Sequence, residues 1–282
     1  MDKAAKKGPA VPVTSLCDIV GMSRQNYYRE RRFRKRRMID EQRIIELVRN
    51  ERQIQPRLGC RKLLHMLGSE FIAAGAKIGR DRLFNVLRRH KLLISKRRSR
   101  PRTTDSGHGM RVYKNLFKDT VLTSPGQAFV SDITYIDTYE GFMYLSLVMD
   151  AYSRAIVGWD CSDSLESIGA MRALGNAIKF GSAVPGCIHH SDRGCQYASG
   201  GYVSKLQANG FRISMTEENH CYENASAERL NGILKEEYGL GRKFLSKGDV
   251  KRAVIEAIEL YNFRRPHQAL GYQVPMAVYR AA

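Results

Sequence analysis

From Ala128 onward the sequence changes from helical patterns to short runs of residues that favour β-strands. Three such runs follow one another, AFVSDITYI, GFMYLSLVM and RAIVGWDC, and turn residues stand between them at Gly141 and at 150–153. Short runs of this composition separated by turn signals predict strands joined by hairpins. The sequence therefore predicts three consecutive strands at this point of the chain.

Helices and strands alternate after these three strands. The pattern predicts a helix over Leu165–Phe180, a strand over Gly186–His190, a helix near Tyr202–Asn209, a strand over Phe211–Met215 and a helix over Glu223–Tyr238. The order βββαβαβα is that of the ribonuclease-H-like fold, a mixed sheet with helices on both faces. The predicted fold class is therefore α/β, and we expect the first and fourth strands to be neighbours.

The first part of the chain carries helical patterns. Residues 14–37 predict two short helices around a turn at Gly21, with Thr14 or Ser15 as the cap of the first helix and Ser23 as the cap of the second. This is a helix-turn-helix pattern, in which the start of the second helix contacts DNA. The residues at that start are Arg24, Gln25 and Asn26. Two surface helices with a solvated basic face are the alternative.

A second helical DNA-binding unit is predicted further along. A further helix over Asp40–Arg52 precedes this unit, whose own helices are Cys60–Leu67 and Arg80–His90 with a break at Gly75, so the whole region is all-α. The segment Lys96–Arg102 is strongly basic and contains a proline, so it predicts an extended linker along phosphates rather than a solvated charge run. The residues of this unit and its linker that we expect to contact DNA are Arg88, Arg89, Lys96, Arg97 and Arg98.

The charge of the chain is distributed unevenly. Residues 1–120 contain 31 Lys and Arg against 11 Asp and Glu, whereas residues 121–282 contain 16 against 17, so the first part carries the whole formal net charge of +19. A basic region attached to a nearly neutral one predicts a polyanionic partner. Nucleic acid is favoured over an anionic membrane, because no long amphipathic stretch with a broad apolar face is present.

The sequence also predicts a cytoplasmic protein without a membrane partner. The longest apolar run, Phe142–Met149, is much shorter than the ~20 residues that cross a bilayer. Residues 1–20 lack the apolar segment of a signal peptide. The six cysteines form no CxxC pair, which is typical of reduced thiols.

Three acidic residues have settings that favour a shared site. Asp132 lies inside the apolar first strand, Asp192 follows the fourth strand, and Glu228 lies near the start of the last predicted helix. Each alone is more often a surface charge or a cap. However, an aspartate within an apolar strand is costly unless its charge is offset, and strand ends of open α/β sheets gather ligands. We therefore expect the three carboxylates to converge.

Converging carboxylates repel one another and raise one another's pKa. Divalent metal offsets this repulsion, and hard oxygen ligands suit Mg²⁺ or Mn²⁺. Two such ions about 4 Å apart activate an attacking oxygen and stabilise a leaving oxygen at a phosphodiester. Water as the attacker cleaves a strand, and a DNA 3′-hydroxyl as the attacker joins two strands.

Several interpretations remain open for nearby polar residues. His189 and His190 with Cys187 and Cys195 suggest zinc, but the spacing is not that of a structural zinc site, and successive strand residues point to opposite faces. His190 either orients phosphate or water, or has a packing role. The basic residues of the C-terminal tail either contact DNA or form a solvated surface: Arg264, Arg265 and His267.

The motifs SDITYI, HSDRGCQY and ENASAERLNGILKEEY, with 35 residues between Asp192 and Glu228, resemble the DDE motifs of insertion-sequence transposases of the retroviral integrase superfamily. The match is to the product of the second open reading frame in the large two-frame family. The tail YNFRRPHQALGYQVP resembles that family's ending and SRQNYY its start, so the resemblance covers nearly the whole chain. The sequence departs from the usual pattern, without loss of a triad carboxylate, at Phe129, Cys195 and Glu223.

The resemblance implies that Asp132, Asp192 and Glu228 are catalytic and bind metal, and that Lys235 contacts the DNA end. It implies a transposase that binds terminal inverted repeats, cuts double-stranded DNA and transfers the end to a target. It also implies a homo-oligomer on paired ends. Whether an upstream-frame partner or a fusion with it takes part stays open.

We predict four segments: a basic helix-turn-helix-type region (1–57), a second helical DNA-binding unit with the basic linker (58–104), a ribonuclease-H-like catalytic core (105–240) and a helical tail (241–282). Two other functions are disfavoured. The intact triad disfavours a non-enzymatic DNA-binding regulator or decayed relic. The basic N-terminal region and the tail disfavour a ribonuclease acting on RNA–DNA hybrids. The His-His-Cys-Cys module expected at the start of a retroviral-type integrase is not visible in the sequence.

Overall fold

The structure, a computed structural model, describes residues 12–76, 78–95, 109–118, 120–181, 183–217 and 225–281. The first of these ranges and the second contain four helices: α1 (Val13–Val20), α2 (Arg24–Ile54), α3 (Cys60–Ala73) and α4 (Arg80–Arg89). The linker residues Lys96, Arg97 and Arg98 lie outside the described residues, as do Cys221, Glu223 and Asn224.

The turn between α1 and α2 forms as the sequence predicts. Gly21 has a φ of +65°, a left-handed conformation that glycine adopts without steric cost. Ser23 is the N-cap of α2, and its Oγ accepts a hydrogen bond from the backbone N–H of Asn26 at 3.2 Å. The predicted cap of α1 is wrong, because the helix begins at Val13 and includes both Thr14 and Ser15.

Helix α2 is longer than predicted. The sequence pattern suggests one helix ending near Arg37 and another from Asp40, whereas the structure has a single helix of 31 residues. The residues between these positions, Met38 and Ile39, include neither glycine nor proline, so no local signal ends the helix there. None of the helices in the described ranges is long and apolar enough to span a membrane.

The second half of α2 packs with α3 and α4 around one apolar core, and we call these three helices the helical unit. Ile44 and Val48 of α2 contribute to this core together with Leu63 and Phe71 of α3. In α4 the predicted inward residues Leu83, Val86 and Leu87 are fully buried. Arg88 and Arg89 remain exposed on the other side of the helix, as the pattern predicts.

The five predicted strands form one mixed sheet. They are β1 (Ala128–Thr138), β2 (Gly141–Asp150), β3 (Ile156–Ser162), β4 (Ile188–Ser191) and β5 (Arg212–Met215), in the spatial order β3-β2-β1-β4-β5. The first three strands pair antiparallel, and β4 pairs parallel to both β1 and β5. The ribonuclease-H-like fold is therefore confirmed, including the adjacency of the first and fourth strands.

Helices cover both faces of the sheet. One face, which includes Phe129 and Val157, packs against helices α5 (Ser167–Lys179), α6 (Cys195–Ala198) and α7 (Gly200–Ala208). The other face, which includes Val130 and Ile136, packs against α8 (Ala225–Glu237) and α9 (Lys247–Phe263). The alternation along β1 thus directs successive side chains to different layers. A 3₁₀ turn (Gln268–Leu270) and helix α10 (Pro275–Arg280) end the described chain.

Candidate active site

Asp132 lies in the middle of β1 on the face that α8 covers. Its side chain is half-buried, and both carboxylate oxygens accept hydrogen bonds. The backbone N–H of Ile133 donates to Oδ1 at 2.9 Å, and the side-chain amide of Asn231 donates to Oδ2 at 2.7 Å. The second bond ties helix α8 to the first strand at this carboxylate.

The register of the sheet brings Asp192 beside Asp132. Val130 pairs with His190 across β1 and β4, and the two aspartates each follow their paired residue by two positions. Asp192 comes directly after the last residue of β4, where its Oδ1 accepts a hydrogen bond from the backbone N–H of Gly194 at 3.0 Å. The predicted position at the carboxyl end of the fourth strand is thus observed.

Glu228 lies in the first turn of α8 and is exposed. Asn231, three residues later, is buried against Asp132. Lys235 is one turn further, with its Nζ 4.4 Å from the ring centroid of Tyr135 in β1. The helix therefore presents Glu228, Asn231 and Lys235 toward the first strand, in accordance with their spacing.

The pKa of Asp132 reflects this gathering of acidic groups. Burial raises it most, the Asp192 charge raises it further, and Glu228 adds a smaller increase. The hydrogen bonds from Ile133 and Asn231 act in the opposite direction, and the resulting pKa is about 7. Asp192 and Glu228 thus both raise the pKa of the Asp132 carboxyl group.

A layer of aromatic and histidine side chains lies on the other face of the sheet. The Nε2 of His189 is 2.8 Å from Ser131 Oγ and 2.9 Å from the hydroxyl oxygen of Tyr202. Burial lowers the pKa of His189 to about 3, which keeps the ring neutral. The buried hydroxyl of Tyr197 has no hydrogen-bond partner within the described part of the chain, and its pKa is raised by burial and by nearby groups that include Asp132.

Sequence analysis did not identify Tyr197, Tyr202 or the bond from Asn231 to Asp132. Tyr197 could have been found from the sequence, because it ends the motif HSDRGCQY and lies five residues after Asp192. No comparable local signal marks Tyr202, since its contact with His189 depends on how α7 packs on the sheet.

His190 makes contacts of a packing kind. Its Nδ1 lies 2.9 Å from Ser214 Oγ, and its ring stacks on Phe117 with centroids 5.1 Å apart. Cys187 is buried and Cys195 is exposed, so these two thiols have different surroundings. Over the described ranges, no group of three or more His, Cys, Asp or Glu side chains has the arrangement of a metal site.

The helical DNA-contact candidates lie on the surface. Arg24, Gln25 and Asn26 are exposed at the start of α2. In α4, the Arg88 guanidinium lies 5.4 Å from the ring centroid of Phe84, and Arg89 forms an ion pair with Glu41, a residue of α2. These basic residues are far apart in the sequence but belong to helices that contact one another.

The tail residues are arranged differently from either sequence-based interpretation. Arg265 is only 4% exposed, and its guanidinium donates to the Glu237 carboxylate at 2.7 and 2.8 Å. His267 is buried beside it, with Nε2 2.8 Å from Arg265 Nη1. Arg264 pairs with Glu51 of α2. Both interpretations, DNA contact and a solvated surface, are therefore wrong for Arg265 and His267, because these two side chains are buried in a contact within the chain.

The sequence is similar to known families and proteins. A family model described as an integrase core domain matches residues 123–221, and a second model with the same description matches residues 209–275. The chain is 32% identical over 266 residues to the insertion element IS600 uncharacterized 31 kDa protein of Shigella sonnei, covering 93% of this chain and 96% of that protein.

Two transposases are similar over a shorter stretch. The transposase for insertion sequence element IS629 of Shigella sonnei is 32% identical, over 64% of this chain and 60% of its own length. The transposase InsF for insertion sequence IS3A of Escherichia coli (strain K12) is 35% identical, over 66% of this chain and 65% of its own length. The chain thus spans less than two thirds of each of these two relatives.

Solved structures of viral integrases are also similar. The HTLV-2 integrase catalytic core domain in complex with magnesium aligns with 55% of this chain and 97% of its own, at 16% identity and a TM-score of 0.45. A chain of the simian T-cell lymphotropic virus intasome structure aligns over 78% of this chain and 74% of its own length, at 17% identity and a TM-score of 0.49.

Proposed function

Because this chain belongs to the insertion-sequence transposases of the retroviral integrase superfamily, we propose that it binds the terminal inverted repeats of a mobile element and cuts and joins DNA there. The observation that carries this proposal is the influence of Asp192 and Glu228 on Asp132, which joins two neighbouring strands and one helix at a single carboxyl group. Gathered acids repel one another, so this arrangement is electrostatically unfavourable unless a bound cation offsets their charge.

Asp132, Asp192 and Glu228 are the residues that would hold Mg²⁺ or Mn²⁺, with two ions as in other phosphodiester-cleaving sites. The chemistry of these oxygen donors suits such ions, although within the described ranges the three side chains are not grouped as a closed metal site. The largest influences on Asp132 within the described chain come from burial, two carboxylates and two N–H groups, and none comes from a basic side chain. Bound divalent metal would supply activation of the attacking oxygen and charge stabilisation of the leaving oxygen.

The remaining side chains position these acids and the DNA. Asn231 donates to one oxygen of Asp132 and thereby helps to fix the orientation of this carboxylate. Lys235, beside Tyr135, contacts a phosphate at the DNA end. Asp192 is oriented by the Gly194 amide. Water as the attacking group yields a cut, whereas a bound 3′-hydroxyl yields strand transfer.

Recognition of the element end belongs to the helical segments, residues 1–57 and 58–104, and chemistry to the core, residues 105–240. The exposed residues proposed to contact the repeat lie at the start of α2 and on α4: Arg24, Gln25, Asn26, Arg88 and Arg89. The linker residues Lys96, Arg97 and Arg98 contact phosphates. Paired ends require a homo-oligomer, and an upstream-frame partner or fusion is a further part of this proposal.

A strand-cleavage and strand-transfer assay tests the function. Duplex DNA that carries a terminal inverted repeat is incubated with the full chain and Mg²⁺, and nicked and joined products are measured. We expect Asp192→Asn to abolish both products and Asp163→Asn, a matched change at an exposed position, to retain them. Activity that survives Asp192→Asn would remove the assignment of that residue. Preferential cleavage of an RNA–DNA hybrid would instead assign a ribonuclease.

A further inference from the structure

Two ion-pair clusters join the helical unit to the catalytic core. In the first, Arg264, directly after α9, donates to the Glu51 carboxylate of α2 at 2.7 and 3.2 Å. In the second, Lys62 of α3 donates to both oxygens of Glu237 at 3.0 and 3.2 Å. The same Glu237 carboxylate accepts the two bonds from Arg265.

These charges are largely removed from water. Glu51 is 6% exposed and Arg265 is 4% exposed, and the side chain of Lys62 is 17% exposed. Burial lowers the pKa of Lys62 to about 8, while the neighbouring carboxylate favours its charged form. Charges in such surroundings are costly unless they are paired in a defined geometry. The clusters therefore favour one placement of the helical unit on the core.

Two further contacts flank the ion pairs. The hydroxyl of Tyr238 donates to Oε1 of Gln55 at 3.3 Å. The ring of His65 stacks on Tyr272 with centroids 4.8 Å apart. All of these partners on the core side belong to the end of α8 or to the tail YNFRRPHQALGYQVP. This tail is thus a docking segment for the helical unit.

Glu237 has a special position because it is the last residue of α8. The same helix carries Glu228 in its first turn and the Asn231 bond to Asp132. Glu237 lies nine residue positions after Glu228, a distance of roughly 13–14 Å along the helix at 1.5 Å per residue. The two to three helical turns between these residues move nearly as a rigid rod. Contacts at the end of α8 therefore influence the placement of its start.

We propose that Glu237, held between Lys62 and Arg265, is a positioning residue that couples docking of the helical unit to the placement of Glu228 and Asn231. This inference rests on the proposed function, because the helical unit is the part expected to hold the DNA end. When the helical unit holds the DNA end, the Lys62–Glu237 contact then also holds helix α8 in the position that places Glu228 and Asn231 correctly.

The test uses the full chain with Glu51→Gln and Lys62→Met combined. The pair removes one negative and one positive charge, so the net charge that attracts DNA stays the same. It also leaves the buried Glu237–Arg265 pair intact, so no buried charge loses its only partner. The matched control is Glu46→Gln with Arg61→Met, which changes exposed residues of the same two helices in the same way.

Two measurements separate the inference from the function. Hydrogen exchange of α8, followed by mass spectrometry without DNA, is expected to become faster in the Glu51→Gln/Lys62→Met variant and to stay unchanged in the control. Transfer of a pre-cleaved end at saturating DNA with Mg²⁺ is expected to slow by roughly tenfold or more, since small displacements of reacting groups have large effects on rate. Affinity for the end is expected to match the control.

Each outcome has a definite meaning. If the wild-type chain is inactive on DNA that carries the end, the proposed function is wrong. The hydrogen exchange of α8 would still show whether the helical unit stabilises that helix. Unchanged exchange of α8 overturns the inference. A loss of DNA affinity with an unchanged rate at saturation overturns it as well, because the helical unit would then act in binding alone.

Discussion

At Asp132, neighbouring groups act on one carboxyl in opposite directions. Burial and the charges of Asp192 and Glu228 favour its protonated form, and the N–H groups of Ile133 and Asn231 favour its ionised form. The Ile133 group is part of the backbone and is retained in any variant. Of the two hydrogen-bond donors to Asp132, Asn231 is therefore the one whose side chain can be replaced to alter the orientation of this carboxylate.

We predict that Asn231→Ala slows strand transfer by about 10- to 100-fold, the range seen when a residue that orients a metal ligand is removed. Affinity for end DNA is expected to stay the same, because Asn231 is buried. Single-turnover assays with a pre-cleaved end measure the rate, and anisotropy measures the affinity. Glu236→Gln, an exposed change in the same helix, is the control. A rate equal to that of the control would contradict the positioning of Asp132 by Asn231.

A second residue-scale prediction concerns acid stability. Burial lowers the pKa of His189 from 6.5 to about 3. The unfolded chain therefore takes up this proton first as the pH falls, so the stabilising contribution of neutral His189 is present above pH 6.5 and is lost as the pH falls toward 3. We expect His189→Gln to unfold at lower urea concentrations at pH 7 but to show a shallower decline of the unfolding free energy between pH 6.5 and 4. Parallel declines would argue against titration of this histidine.

At the scale of elements, the contact between α5 and β3 depends on the absence of a side chain at Gly158. A Cβ atom there would lie 2.3 Å from the carbonyl oxygen of Ala173 and 2.6 Å from the amide nitrogen of Ala177. Both of these atoms belong to the backbone of α5, so neither can move aside without shifting the helix. Helix and strand can thus approach closely at Gly158.

We predict that Gly158→Ala lowers the unfolding free energy by roughly 1–3 kcal/mol or more, as expected for overpacking against a rigid backbone. Gly68→Ala in the interior of α3 is the matched change, because a Cβ there meets no heavy atom within 4 Å. It is expected to raise stability by roughly 0.5–1 kcal/mol through better helix propensity. Urea denaturation measures both. Equal effects of the two substitutions would show that α5 packs less closely than observed.

At the scale of the whole molecule, the positive charge is concentrated in residues 1–120. The helical unit belongs to this part and is attached to the core by ion pairs that use acidic residues from both sides, Glu51 and Glu237. Basic side chains at the start of α2 are left exposed. The unit therefore combines an internal contact with a basic outer surface, which agrees with the DNA-binding role proposed for it.

Replacing Lys96, Arg97 and Arg98 together by alanine is expected to weaken DNA binding and flatten its salt dependence, by about one unit of log–log slope for each phosphate that the linker no longer neutralises. Anisotropy titrations at several salt concentrations give this slope. Replacing Lys179, Arg212 and Lys251 by alanine makes the same change of net charge at exposed positions of the core and the tail and is expected to leave the slope as it is. An unchanged slope in the linker variant would count against a phosphate-tracking linker.

The sequence by itself determined the kind and order of the elements. Strands β1 to β5 and most helices follow from periodicity and turn residues, which are local properties of the chain. The cap at Ser23 and the turn at Gly21 are equally local. The placement of Asp132 in β1, Asp192 just after β4 and Glu228 in α8 followed as soon as the order βββαβαβα was assigned, because that order makes the first and fourth strands neighbours.

Only the tertiary structure decided which distant side chains meet. The bond from Asn231 to Asp132, the neutral state of buried His189 and the enclosure of Arg265 by Glu237 depend on helix packing. A basic residue such as Arg265 has the same local pattern whether it faces solvent, DNA or a buried carboxylate. Burial and pairing set the energy of a charged group, and both are properties of the folded chain rather than of the neighbouring sequence.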